Sequence, residues 1–317
     1  ERRWVAAELA GEYAGLLADG ASAGDGAAEG LLAVLQRYLR SAGPVTREEI
    51  LAAVLKPGVP HPWRNLWLDM WDETQTAMVA EWREVVEAGG SRLGLMSSGL
   101  EAHSVEGRHW DRWWQALAGD QPPIHRPHFT GYNDMPGWSW PGSIAMLDLN
   151  RNIEPAGAEI GPEIENYPYG WAKSLRQTAA AIVQAVIQGA DRLNISLYDF
   201  MGNLPSDDRT RESFLAGWQP ALNWLSERFP PTLKSHGIGI PWHEDASRRV
   251  HTAAGQDWRE LLVRVMGWPA WLGGFGHPFQ MRTSPALNAL AGDMAWVPDE
   301  DELRELLRRG LLLDGPA

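Results

Sequence analysis

The sequence predicts an α/β protein built on a (β/α)8 barrel of the TIM type, irregular or incomplete in its N-terminal part, followed by the start of a second α/β domain. Three observations lead there. Short apolar runs at 92–97, 124–128, 159–164, 192–198 and 235–240 alternate with amphipathic helical segments, a pattern of parallel strands covered by helices. The runs recur at spacings of roughly 32 to 43 residues, near the repeat of eight units in ~250 residues. The competing doubly wound sheet normally carries a Gly-rich phosphate turn after an early strand, and no such turn is present.

Taken in order, residues 4–17 and 28–41 read as helices separated by the Gly/Ala-rich stretch 20–26. Thr46 with Glu49 three residues on is a capping box opening a short helix to about residue 55. A Pro-rich loop (Pro57, Pro60, Pro62) precedes a long helix over 64–88, stopped by Gly89-Gly90. The helices between the five strands are expected at 108–118, 143–152, 171–188 and 207–228. In the third, Leu175, Ala179, Ile182 and Val186 form one apolar face. Residues 268–283 read as a long loop, 286–291 as a strand, 298–309 as a helix and 311–313 as a further strand. The predicted organisation is a barrel over 1–270, a linker over 271–285, and the beginning of another domain over 286–317. The chain starts without Met and stops just after a strand-like run, so a piece of a longer protein is expected.

Composition excludes several classes. The 317 residues carry 28 Lys and Arg against 41 Asp and Glu, a formal charge of −13, which disfavours nucleic acid and anionic membrane as partners. The absence of Cys removes disulfides, thiolate metal sites and Cys nucleophiles. No uncharged apolar run approaches the ~18 residues of a membrane span, and a cytoplasmic location is expected. No phosphate-binding, nucleophile-elbow or HExxH motif occurs. His103, His109, His125 and His128 lack a carboxylate at ligand spacing, so no metal and no cofactor is predicted. The composition stands out in its 18 Trp against 6 Tyr and 6 Phe. Trp63, Trp67, Trp71 and Trp82 on the long helix are expected to pack. Trp110, Trp113, Trp114, Trp138, Trp140 and Trp171 follow strand ends.

Those strand ends carry the chemistry, on the side where barrel enzymes build their sites. The first is followed by Glu101, Glu106, Arg108 and Trp110; the second brings Arg126, His128 and Tyr132. The third ends Glu163-Ile164-Glu165-Asn166-Tyr167-Pro168, and the fourth Leu197-Tyr198-Asp199-Phe200. Glu163 and Glu165 lie two apart and point to one side of a strand. Their mutual repulsion raises a pKa toward that of a proton donor. Glycoside hydrolysis requires one carboxylic acid for the leaving oxygen and one carboxylate to attack or to activate water, with aromatic faces as a sugar platform.

At these residues the chain resembles a group of bacterial barrel proteins related to the family 42 β-galactosidases. The likeness rests on Gly94-Leu95-Met96, Glu106-Gly107-Arg108-x-Trp110, Arg126-Pro127-His128 with Tyr132, the Glu163–Pro168 run and Lys173-Ser174, and spans about residues 45–240. Residues 288–315 are similar to the start of the glutamine-amidotransferase-like domain that follows the barrel in such proteins. The resemblance implies a hydrolase whose acid/base comes from an Asn-Glu pair after strand four and whose nucleophile is a Glu on strand seven. With 92–97 as strand four, the loop offers Glu101 and Glu106 without an Asn-Glu pair. Strand seven then offers Asp199, and Glu163 and Glu165 fall on strand six.

The expected function is therefore hydrolysis of O-glycosidic bonds by Glu165 with Glu106 or Asp199. Glu163, Arg108, Trp110, Arg126, His128, Tyr132, Asn166, Lys173 and Tyr198 would hold an oligosaccharide or glycoside, and self-association would run through the downstream domain. The rivals are a catalytically silent glycan-binding or assembly barrel, and a barrel lyase or isomerase with Lys173 as the only Schiff-base candidate.

Overall fold

The computed structural model describes residues 47–129, 131–134, 137, 140–167, 169–198 and 209–315. In chain order the helices are α1 (Arg47–Val54), α2 (Pro62–Ala88), α3 (Leu100–Ser104), α4 (Trp110–Ala118), α5 (Trp140–Ile153), α6 (Leu175–Ile187), α7 (Arg209–Arg228), α8 (Ala246–Arg249), α9 (Gly267–Gly274) and α10 (Glu300–Arg309). The strands are β1 (Leu95–Ser97), β2 (Ile124–Pro127), β3 (Glu159–Ile160), β4 (Glu163–Glu165), β5 (Asn194–Ser196), β6 (Ile238–Gly239), β7 (Phe279–Gln280), β8 (Asn288–Leu290) and β9 (Leu311–Leu313). The described residues divide into two units: one takes those within 47–91, 101–117 and 243–263, the other those within 92–100, 118–242 and 264–315. The two helices expected before residue 42 lie outside the described residues, as does Thr46 of the capping box.

The first unit is helical. In α2, the side chain of His61 accepts the Trp63 N–H at 3.1 Å and Pro62 occupies the first turn, where its missing N–H costs nothing. The helix ends at Gly89, with Gly90 at positive φ supplying the stop the sequence predicts. Its buried stripe is Arg64, Leu68, Asp72 and Val79. Trp71 and Trp82, expected to pack, are about half exposed because they lie off that stripe. At Gly107 (φ 72°) a Cβ would stand 2.1 Å from the Leu68 carbonyl oxygen, so only Gly lets this loop press on α2.

The second unit is mixed α/β and its strand pairs are all parallel among the described residues. One sheet runs β1-β2-β3, a second β4-β5, and a third β7-β6-β8-β9. The strand predicted over 159–164 is split by Gly161-Pro162, since Pro has no N–H for the ladder. A single bridge from His128 to Glu163 carries the β1-β2 order onward into β4 and β5. Phe129, Leu147, Ile160, Ile164, Ala181, Ile182 and Ala185 pack into one core cluster. Helix α6 begins at Leu175 rather than 171, where Ser174 caps it by accepting the Gln177 N–H.

The stretch 268–283, expected as a loop, instead forms most of α9 and β7. Its Gly and Pro content misleads because Gly273 is spent on close packing: a Cβ there would meet Pro141 of α5 at 2.5 Å. The boundary predicted at 271–285 falls inside the third sheet, where β8 pairs with β6 and β9 with β8. No helix among the described residues is long and apolar enough to cross a membrane.

Candidate functional site

The strand ends of the second unit bring five of the predicted residues together. Alternation along β2 turns Arg126 and His128 to one side, and along β4 turns Glu163 and Glu165 to one side. The His128–Glu163 bridge sets their register. Arg126 Nη2 pairs with Glu163 Oε1 at 2.7 Å, and His128 Nδ1 lies 3.8 Å from Glu163 Oε2. Burial, then a hydrogen bond to Glu163 and that neighbour's charge, raise the pKa of Glu165, while Arg126 and His128 pull it down. Burial, with the positive fields of Arg126 and Lys173, lowers His128, so the ring is neutral near neutral pH. The Tyr132 ring meets His128 edge to face at 5.4 Å and Tyr167 at 5.9 Å.

The segment after β4 is fixed from within. Asn166 is fully buried, and its Nδ2 donates to the Gly170 carbonyl at 3.3 Å, so its amide holds the loop. Asp134 accepts the Ser174 N–H at 2.8 Å and its hydroxyl at 2.9 Å, tying the loop after β2 to the start of α6. Lys173 is buried beside them, and burial, opposed by the Asp134 charge, brings its pKa to about 8. Tyr169 and Trp171 stack in parallel at 4.8 Å, and Trp171 is 74% exposed, an open flat apolar surface.

Other predicted residues fall elsewhere. Tyr198 is partly exposed just past β5; Asp199 and Trp138 lie outside the described residues. Glu106, Arg108 and Trp110 belong to the first unit. There Arg108 Nη2 donates to Glu106 Oε2 at 2.8 Å, and its guanidinium lies 3.9 Å from the Trp113 ring centre and 5.1 Å from that of Trp110. Trp110 stacks on Trp114 at 5.5 Å and is 2% exposed, so protein covers its ring. Burial resists ionisation of Glu106, but His103 and Arg108 prevail and lower its pKa. Among the described residues no three or more His, Asp and Glu converge as a metal site.

One constellation has little sequence signal. Ser97 Oγ lies 2.6 Å from His125 Nε2, and His125 Nδ1 is bonded to Glu154 Oε1. The order resembles a nucleophile, base and orienting acid. However, Ser97 is 7% and His125 1% exposed, and His125 alternates away from Arg126 and His128. The chain therefore binds β1 and β2 to the end of α5. Glu154 lies 29 residues from His125 with no motif to announce it.

Glu163 and Glu165 lie on one side of β4, and the raised pKa of Glu165, due first to burial and then to Glu163, suits it to general acid work. No protein-family model matches the chain, and a search of curated proteins gives no significant match.

Proposed function

We propose that this protein is a carbohydrate-active hydrolase of the β-galactosidase-like barrel type, acting on an oligosaccharide or glycoside through the Glu163–Glu165 unit. The observation that carries the reading is the carboxyl pair on β4, in which Glu163 is buried and ion-paired to Arg126 of β2 and the pKa of Glu165 is raised. In this reading Glu165 donates the proton to the leaving oxygen, and Glu163, held by Arg126, orients it. Trp171, Tyr167 and Tyr132 offer sugar-facing aromatic surface. The attacking or water-activating carboxylate comes from outside the pair, with Asp199 after β5 the candidate, and the strands complete a (β/α)8 barrel.

The test is a panel of aryl glycosides with the protein and Glu165→Gln. Activity on one glycoside, a loss of at least about 100-fold in the variant, and a rate that falls as pH rises through the elevated Glu165 pKa are expected. Full activity in Glu165→Gln refutes the role. The second reading, a silent glycan-binding barrel, is favoured by the single carboxyl unit in the described cluster. It predicts thermal stabilisation by oligosaccharides without release of reducing sugar.

A further inference from the structure

The first unit carries a partly open cavity of about 520 Å3, within the ~300–1,000 Å3 of ordinary small-molecule sites. Its walls are apolar. Trp67 and Trp71, one turn apart on α2, meet edge to face at 6.1 Å. Trp258 and Val105, with four aliphatic side chains, complete the lining. Apart from the indole N–H groups, Gln75 and Glu106 are the polar side chains among its described lining residues.

Those two side chains are half used. Glu106 Oε2 accepts from Arg108 at 2.8 Å and lies 3.2 Å from His103 Nδ1, while Oε1 accepts from none of the described residues. Gln75 Oε1 also accepts from Arg108 Nη2, at 3.1 Å, which leaves its Nε2 as a donor without a partner among the described residues. Arg108 is held against Trp113, so this arrangement is fixed. Arg108 also neutralises the Glu106 charge, so a further cation has nothing to gain here. What remains is flat aromatic wall beside one acceptor and one donor.

We propose that this cavity binds an uncharged aromatic small molecule bearing an N–H or O–H donor, of the indole or phenol class. Its ring lies against Trp67, Trp71 and Trp258, and its donor is on Glu106 Oε1. The aromatic walls account for the ring, and the unused carboxylate oxygen accounts for the donor.

Titration calorimetry on the full chain, with indole and 1-methylindole as probes, tests it. Indole is expected to bind, and 1-methylindole, which keeps the ring but loses the donor, to bind about fivefold more weakly or worse. Trp258→Ala removes a half-exposed wall and is expected to weaken indole about tenfold. Val105→Phe, which fills the space, abolishes binding and serves if Trp258→Ala misfolds. No binding of indole, equal binding of the two probes, or unchanged affinity in both folded variants overturns the proposal.

Discussion

Arg64 sits fully buried in the first unit, with no carboxylate among the described residues paired to it. Its Nε donates to the Val54 carbonyl at 2.7 Å, Nη1 to the Val250 carbonyl at 2.5 Å, and Nη2 to Thr252 Oγ1 at 3.4 Å. Burial lowers its pKa to about 10, still well above neutrality. One guanidinium thus satisfies backbone acceptors from segments nearly 200 residues apart in the chain. Arg64→Met would leave those acceptors buried and unpaired, a loss of roughly 3 kcal/mol of unfolding free energy in urea titration; a loss below 1 kcal/mol would show that the contacts are dispensable. Nothing in the sequence marks Arg64, since a lone Arg at a helix start reads as solvated. By contrast, the placing of Glu163 and Glu165 on one strand was legible, and strand alternation alone brings residues two apart to one side.

Elements with local signals form as the sequence predicts. Helix α10 follows Asp299, whose Oδ1 accepts the Glu302 N–H at 2.8 Å; acidic residues fill its first turn and Arg308 and Arg309 its last, complementing the helix dipole. Asp299→Ala should cost about 1 kcal/mol of unfolding free energy; no change would mean that the helix is held by packing alone. Where local and tertiary demands differ, the sequence misleads. Helix α9 is rich in Gly and Trp and reads as a loop, yet Gly273 is what allows it to lie on Pro141. The strand over 159–164 reads as continuous, and Gly161-Pro162 breaks it into β3 and β4. In that case the Pro was visible and its effect on the ladder was underweighted.

At the scale of the molecule, the third sheet decides how residues 286–317 behave. β8 pairs with β6, β9 pairs with β8, and Asn288, fully buried, exchanges hydrogen bonds with Ser284 at 2.7 and 3.0 Å. Truncation after Pro285 would leave β6 with β7 alone, and two short strands are marginal in water. The truncated chain is expected to lose near-ultraviolet circular dichroism and cooperative thermal unfolding. Retention of both would show that the removed segment is an independent domain. The sequence alone determined the α/β class, the parallel strands and the clustering of carboxylates and aromatics after them, because period, turn residues and alternation are local properties of the chain. Only the tertiary structure decided which candidates meet. Register brought Arg126 and His128 onto Glu163, Trp110 went into a buried stack, Glu106 went to the first unit, and Ser97, His125 and Glu154 were joined unseen. Pairing across dozens of residues depends on packing and hydrogen-bond satisfaction in three dimensions, which no window of sequence contains.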